Sequence, residues 1–447
     1  MMKRAFPRAT RREALVLGGF GFLLTGVPAV ARASNEETNV AETQTAQQYA
    51  PRSSDIRPFR VDFAPADLRE LRARVEATRW PERETVSDDS QGVQLATMQA
   101  LARYWTSEYD WRKIEARLNA LPQYLTEIDG LDIHFIHVRS KHEDALPVVI
   151  THGWPGSIIE QLKIIAPLTD PTAHGGAASD AFHVVIPSLP GHGFSAKPNA
   201  TGWDPDRIAR AWIALMQRLG YTRYVAQGGD WGQMVTELMA KQAPPGLLGI
   251  HTNMPAALQP DIAKAVQTGA PPPATLSADE RHAYDQLTDF FAKHVGYATE
   301  MANRAQTLYA IADSPIGLAA WMLDHDKLSY ELIARAFAGQ PGGLTRDDVL
   351  DNVSLYWLTN TGVSSARLYW ENKHPFFDSK NITIPVAISA FPDELYQVPR
   401  SWAERAYSKL IYYNKLDVGG HFAAWEQPQL FSQELRAGFR PLRNAGA

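Results

Sequence analysis

Asp230 stands at the centre of Gln227-Gly228-Gly229-Asp230-Trp231-Gly232, a carboxylate among glycines at the end of the apolar run Tyr224–Gln227. A helix-like pattern follows from Gln233. This predicts a tight turn between a buried strand and a helix, too crowded for side chains beside its central residue. In the usual elbow of this form the central residue is Ser, which must lose a proton before it attacks and suits acyl transfer. A carboxylate is already ionised at pH 7. It is a weak nucleophile, fit for displacement at a strained or activated saturated carbon, and its attack leaves an ester on the protein. The plainer reading of Asp230 is a cap on the following helix, so its meaning depends on its partners.

Three partners would make the chemistry complete. The first is a base, and His421 follows Gly419-Gly420 just after the strand-like run Leu410–Tyr413. A carboxylate needs no base to attack, so the task left for His421 is to activate water against the ester. The second is an acid to orient that imidazole. Phe391-Pro392-Asp393-Glu394-Leu395 offers two adjacent carboxylates after a strand ending at Ala390, whereas the end of the strand after the elbow carries only the uncharged Asn253. Nucleophile, acid, histidine is also the chain order behind G-x-S-x-G elbows. The third is a pair of backbone N–H groups facing the oxyanion formed when water attacks the ester. Trp231 supplies one, and Trp154 in His152-Gly153-Trp154-Pro155 supplies the other, with Pro155 fixing the turn. Asp324-His325-Asp326 could suggest a metal, but between Met322-Leu323 and Leu328 it reads as a solvated polar turn at a helix end. His192 in Pro190-Gly191-His192-Gly193 reads as a loop-shaping residue. The glycine-rich loops lack the spacing or the lysine of a phosphate cradle.

The elements that must position these groups are legible as alternating runs. Leu131–Val138 alternates and predicts a strand of an edge hairpin. Leu146–Thr151, His183–Pro187, Tyr224–Gln227, Leu247–Asn253, Ile382–Ala390 and Leu410–Tyr413 are apolar runs that predict buried strands. Asp206–Leu219 is amphipathic, with Ile208, Trp212, Leu215 and Leu219 on one face. Strands alternating with helices predict an α/β fold, a mostly parallel sheet with helices on both faces. In such sheets ligands bind at the carboxyl ends of strands, where Trp154, Asp230 and His421 all fall. The stretch 256–380 interrupts the alternation, is helical and rich in Tyr and Trp, and reads as a lid over that edge. Residues 56–123 read as a helical N-terminal extension, and 124–255 with 381–447 as the core.

The chain of 447 residues has 45% hydrophobic and 21% charged residues and a net charge of −5, an ordinary globular balance that disfavours nucleic acid as a partner. The absence of cysteine excludes disulfides, thiolate catalysis and thiolate-bound metals. Lys3, Arg4, Arg8, Arg11 and Arg12 precede an apolar stretch, Ala14–Val30, and the small residues of Ala31-Arg32-Ala33. This reads as a cleaved leader over 1–33, with Arg11-Arg12 resembling a bacterial twin-arginine export signal and 34–55 as a polar linker. The expected location is periplasmic or secreted.

Taken together the motifs resemble epoxide hydrolases of the microsomal type, members of the α/β-hydrolase fold. The matching segments are Trp80-Pro81, Tyr109-Asp110-Trp111-Arg112, Ala116-Arg117-Leu118-Asn119, His152–Ser157, Gln227–Gly232, Asp313–Ala320 and Gly419–Ala424, spread over residues 57 to 439. The resemblance implies hydrolysis of an epoxide to a vicinal diol, with no cofactor and no metal. It assigns the acid in Phe-Pro-x-Glu to Glu394, and it implies two tyrosines that hydrogen-bond the epoxide oxygen, at Tyr369 and Tyr297, with Tyr309 and Tyr356 as competitors. Ala305 departs from the pattern, where proline is common. The partners implied are a small hydrophobic epoxide, water, the export machinery and, as one option, further copies of the chain. A dehalogenase shares the Asp nucleophile but needs N–H donors for a halide in place of acidic tyrosines. A non-catalytic binder of hydrophobic ligands is the other alternative.

Overall fold

The computed structural model describes residues 55–340 and 342–443. The leader expected over 1–33, and the linker up to residue 54, lie outside the described residues.

Among the described residues nine strands form one sheet: β1 (Arg57–Pro58), β2 (Gln123–Ile128), β3 (Leu131–Val138), β4 (Leu146–Thr151), β5 (Phe182–Pro187), β6 (Tyr224–Gly228), β7 (Leu247–Thr252), β8 (Val386–Ala390) and β9 (Leu410–Lys415). Their order is β1-β2-β3-β5-β4-β6-β7-β8-β9. The run from β5 to β9 is parallel, and β1 to β3 are antiparallel. Helices cover both faces, which is why β5, β6 and β8 are buried along their whole length and read as continuous apolar runs rather than alternating ones. The helix Pro205–Arg218 packs through Ile208, Trp212 and Leu215; Asp204 caps it by accepting from Arg207 N, and Pro205 occupies its first turn.

Two strand expectations are refined. The alternation of 131–138 predicts a strand of an edge hairpin; β2 and β3 form that hairpin, with β3 pairing inward to β5 and β1 pairing outside β2. The two-residue β1 takes the edge, a length too short to signal itself. The strand expected over 382–390 begins only at Val386, because Pro385 has no N–H to give to a ladder.

Between β7 and β8, which are neighbours in the sheet, the chain leaves and returns through a run of helices that includes Gly296–Arg304, Pro315–Leu323, Lys327–Phe337, Arg346–Leu358 and Gly362–Glu371. The N-terminal helices Pro65–Glu76, Leu95–Ser107 and Trp111–Asn119 rest on this insertion. Trp105 Nε1 donates to Ser354 Oγ (3.1 Å), and the Tyr104 and Tyr109 hydroxyls donate to Asp347 (2.7 Å) and Asp351 (2.9 Å). Gln94 N donates to the Tyr330 hydroxyl (2.9 Å), and Arg74 Nη1 donates to the Asp313 carbonyl (2.9 Å).

Candidate active site

The carboxyl ends of four strands bring the chemistry together. Thr151 at the end of β4 is in register with Gly228 at the end of β6, so the His-Gly-Trp-Pro turn stands beside the elbow. The approach is close: a Cβ on Gly232 would lie 1.9 Å from the Thr151 carbonyl oxygen, and one on Gly153 would lie 2.2 Å from Asp230 Oδ1. Glycine is the only residue that fits either position. Asp230 itself has φ +51° and ψ −128°, a conformation that costs a residue with a Cβ about 1–3 kcal/mol and persists only where its surroundings fix it. The elbow thus stores strain at the residue whose side chain faces the neighbouring turn.

Trp154 N donates to Asp230 Oδ1 at 2.7 Å. Trp231 is the first residue of the helix Trp231–Gln242, and its N–H is among the donors that a helix start leaves without an intrahelical partner. His421 Nε2 lies 4.0 Å from Asp230 Oδ2, beyond hydrogen-bond reach. Beside this gap is a cavity of about 20 Å³ lined by Gly153, Glu160, Gln227, Asp230, Asn253 and His421, enough for one water.

His421 Nδ1 meets Glu394 Oε1 at 2.6 Å, and Glu394 is 2% exposed. Leu395 N also donates to Oε1 (2.9 Å), and Asn253 Nδ2 donates to Oε2 (3.3 Å). Gln227 Nε2 in turn donates to Asn253 Oδ1 (3.1 Å). Asn253, the neutral residue at the rival acid position, therefore holds the acid in place. Asp393 is exposed and contributes backbone: it bridges Gly420, with its N–H donating to the Gly419 carbonyl at 3.1 Å. That bridge delivers His421 to Glu394. Burial works against charge on His421, yet Glu394, Asp230 and Asp326 together raise its pKa to about 10.

The inserted helices supply the opposite wall. Tyr297 stacks on Trp154 (centroids 5.0 Å, 18°), and Tyr369 meets Trp231 edge-on (4.7 Å, 80°). The two tyrosine rings are 6.0 Å apart. Burial first, with the charge on Asp230 adding to it, holds both phenols well above their ordinary pKa, as neutral donors. The competitors lie elsewhere: Tyr309 is 68% exposed, and the Tyr356 hydroxyl donates to the Gly156 carbonyl at 2.7 Å.

Three residues at the site were not expected there. Asp324-His325-Asp326 reads as a solvated turn, but His325 is 1% and Asp326 6% exposed. The His325 ring lies 4.5 Å from that of His421 and 5.0 Å from that of Tyr297, and its Nδ1 meets Asp326 Oδ2 at 2.9 Å. Asp324 stays exposed, while His325 is buried against His421 and Phe422 and Asp326 caps the helix Lys327–Phe337 by accepting from Ser329 N; the flanking Met322 and Leu323, both buried, were the available signal. Glu160, three residues after Ser157, resembles a helix-cap partner, yet it lies on the cavity wall. Burial raises its carboxyl to about 8, so it is protonated near neutral pH. A larger cavity of about 680 Å³ is lined by Trp203, Arg304, Tyr309, Arg367 and Trp370 among others; it touches neither Asp230 nor His421.

Comparison with known proteins extends this geometry. The family described as the epoxide hydrolase N terminus matches residues 56–161, and the alpha/beta hydrolase fold matches 147–308. A protein of Stigmatella aurantiaca assigned to the epoxide hydrolases is 52% identical over 389 residues (87% of this chain, 86% of the relative). Epoxide hydrolase 1 of Oryctolagus cuniculus is 35% identical, covering 85% of this chain and 88% of its own. Among solved structures, the epoxide hydrolase of Aspergillus niger superimposes with a TM-score of 0.74 at 31% identity, covering 87% of this chain and 97% of its own. The juvenile hormone epoxide hydrolase of Bombyx mori does so with 0.78 at 28%, covering 88% and 96%.

Proposed function

We infer the course of the reaction from one premise: the chain belongs to the epoxide hydrolase family, and it is an enzyme that hydrolyses epoxides. In the reading the site supports best, Asp230 attacks a ring carbon and the C–O bond of the epoxide breaks. Tyr369 and Tyr297 hydrogen-bond the oxygen and give it a proton. The Asp230–Trp154 contact, with the Glu394–His421 pair across a one-water cavity, is the observation that carries this reading.

Charge supplies the timing. While Asp230 is ionised it helps to keep His421 protonated. Once Asp230 is an ester that charge is gone, and the pKa of His421 falls. The imidazolium can then return the proton that the tyrosines gave up, and it becomes the neutral base the second step needs. Water beside Glu160 loses a proton to His421 and attacks the ester carbonyl, with the N–H groups of Trp154 and Trp231 facing the oxyanion. Collapse breaks the bond between the acyl carbon and the alkyl oxygen, which takes the proton of the hydroxyl that water added; the diol leaves, and the Asp230 carboxylate and protonated His421 are restored. One epoxide and one water give one diol, and each proton is accounted for.

A single turnover with excess enzyme in heavy-oxygen water tests this. The oxygen delivered to carbon comes from Asp230, so the first diol is unlabelled and the label enters Asp230. Label in the first diol with none in the protein refutes the ester. In this reading residues 256–380 act as a lid, and the substrate is a small hydrophobic epoxide. The N-terminal segment also supports export by a twin-arginine route to the periplasm. Fusion of residues 1–45 to a reporter, with Arg11→Lys plus Arg12→Lys as control, tests that part; a reporter that stays inside the cell with the native pair overturns it.

A further inference from the structure

The buried pair His325–Asp326 has no task in the reaction above, and its geometry repeats that of His421–Glu394. Each imidazole is anchored through Nδ1 by a buried carboxylate, at 2.9 Å and 2.6 Å. A ring held in this way donates its Nδ1 proton to the carboxylate and keeps Nε2 for another partner; at His421 an incoming ion takes the place of the second proton of the ring. His325 Nε2 is buried and has no hydrogen-bond partner. One ligand atom from each of Asp230, His325 and His421 lies within 4.8 Å of the other two. Asp230 Oδ1 is engaged by Trp154 N, while Oδ2 faces His421 Nε2 across 4.0 Å.

We propose that Asp230, His325 and His421 form a binding site for a divalent transition ion of the zinc type, and that the ion, by occupying nucleophile and base together, switches the enzyme off. The donor set is two imidazoles and one carboxylate, each imidazole backed by a carboxylate, the second shell that orients histidine ligands to metals. Bonds of about 2.0–2.2 Å in a tetrahedron put ligand atoms about 3.3 Å apart, so the 4.0 Å gap closes with a side-chain adjustment. Three protein ligands leave the fourth position of the tetrahedron to a water. Asp230, Glu394 and Asp326 surround the two rings with carboxylates, so a dication is electrostatically welcome. Two imidazoles favour Zn²⁺, Co²⁺ or Ni²⁺ over Mg²⁺ and Ca²⁺, which seek six or more oxygens.

The inference goes beyond the proposed reaction and uses only the positions of Asp230 and His421, so binding is read without substrate. The full chain is titrated with CoCl₂ and followed in the visible. The expected result is the intense ligand-field bands of a four-coordinate ion at one equivalent, displaced by ZnCl₂ and untouched by excess MgCl₂. His325→Phe removes a ligand and should abolish the bands. Asp326→Asn keeps all three ligands and should weaken binding about 10–100-fold, the usual cost of losing a second-shell partner; it serves if the first variant does not fold. In the native chain ZnCl₂ should inhibit epoxide turnover over the same concentrations that displace Co²⁺. No bands at millimolar Co²⁺, displacement by Mg²⁺, or unchanged affinity in a folded variant each overturns the site. A chain that binds Co²⁺ but never forms the ester keeps the site and loses the reaction reading; one that forms the ester and ignores Co²⁺ does the converse.

Discussion

The two walls of the site are built by different means. On the sheet edge, Asp230, Trp154, Glu394 and His421 are set by strand ends, by backbone bridges and by hydrogen bonds of 2.6–2.7 Å, with a strained φ at the nucleophile. On the inserted helices, Tyr297 and Tyr369 are set by ring contacts of 4.7–6.0 Å. Another of the inserted helices, Arg346–Leu358, is held by Tyr104, Trp105 and Tyr109 of the N-terminal helices, more than 200 residues away in sequence. Backbone geometry fixes atoms tightly, whereas aromatic packing tolerates sliding. The wall that holds the ester and its oxyanion in the proposed reaction is therefore the one set by backbone, and the wall that donates to the epoxide oxygen is the one held by rings. In the proposed reaction the helical wall governs ring opening, and the sheet edge, through His421, governs release.

This division makes the two walls separable by which step stalls. His421→Gln should give the largest effect, a loss of at least about 10³-fold in steady-state turnover. Asp230 and the tyrosines remain, so one equivalent of ester should accumulate and be visible as a mass increase on the intact chain. Tyr369→Phe or Tyr297→Phe should cost less, about 10–10²-fold each, because the other phenol still donates. The stalled step is then the first, so no ester should build up. Rapid-quench mass spectrometry distinguishes the two cases. An ester that accumulates in the tyrosine variants but not in His421→Gln would break the comparison outright.

The sheet edge was far more legible in the sequence than the helical wall, for the same physical reason. Gly228 and Gly232 are required by close backbone approach, and Gly153 and Gly229 by the side chains of Asp230 and Asn253; such requirements mark a sequence at fixed spacing. Asp230 and His421 follow from those turns. The choice between Asp393 and Glu394 needed the resemblance, because a backbone bridge at Asp393 and a side-chain contact at Glu394 look alike in sequence. Tyr297 and Tyr369 rested on resemblance as well, since ring packing leaves no spacing rule. His325 was misread because burial of a polar turn depends on what is packed over it. Glu160 hid behind a cap-like position. β1 escaped notice because two residues carry no period.

The smallest effect concerns the seam between the N-terminal and inserted helices, and it sharpens the comparison through pH. Tyr109 donates to Asp351 in that seam. Burial, with Asp347 and Asp348 nearby adding to it, raises the Asp351 carboxyl to about 8, against the opposing effects of Tyr109 and Arg117. In the unfolded chain such a carboxyl titrates at about 3.9. Between these values the folded chain binds one proton more than the unfolded chain, so stability falls as pH rises from about 4 to about 8 and then levels off. His421 acts in a different window: raised from about 6.5 to about 10, it contributes stability that is complete below about 6.5 and is lost as pH climbs to about 10. The seam and the sheet edge should thus loosen at different pH. Asp351→Asn keeps an acceptor for Tyr109 and removes the charge. Its midpoint of thermal unfolding should match the native chain's near pH 4 and exceed it at pH 8, by about 1 °C for each kcal/mol in a chain of this size. His421→Gln should leave the lower window intact and flatten the upper one. If Asp351→Asn flattens neither window, the seam does not carry the charge that burial assigns to it, and its hold on the inserted helices rests on the uncharged contact of Trp105 with Ser354 and on the other carboxylates that the tyrosines meet.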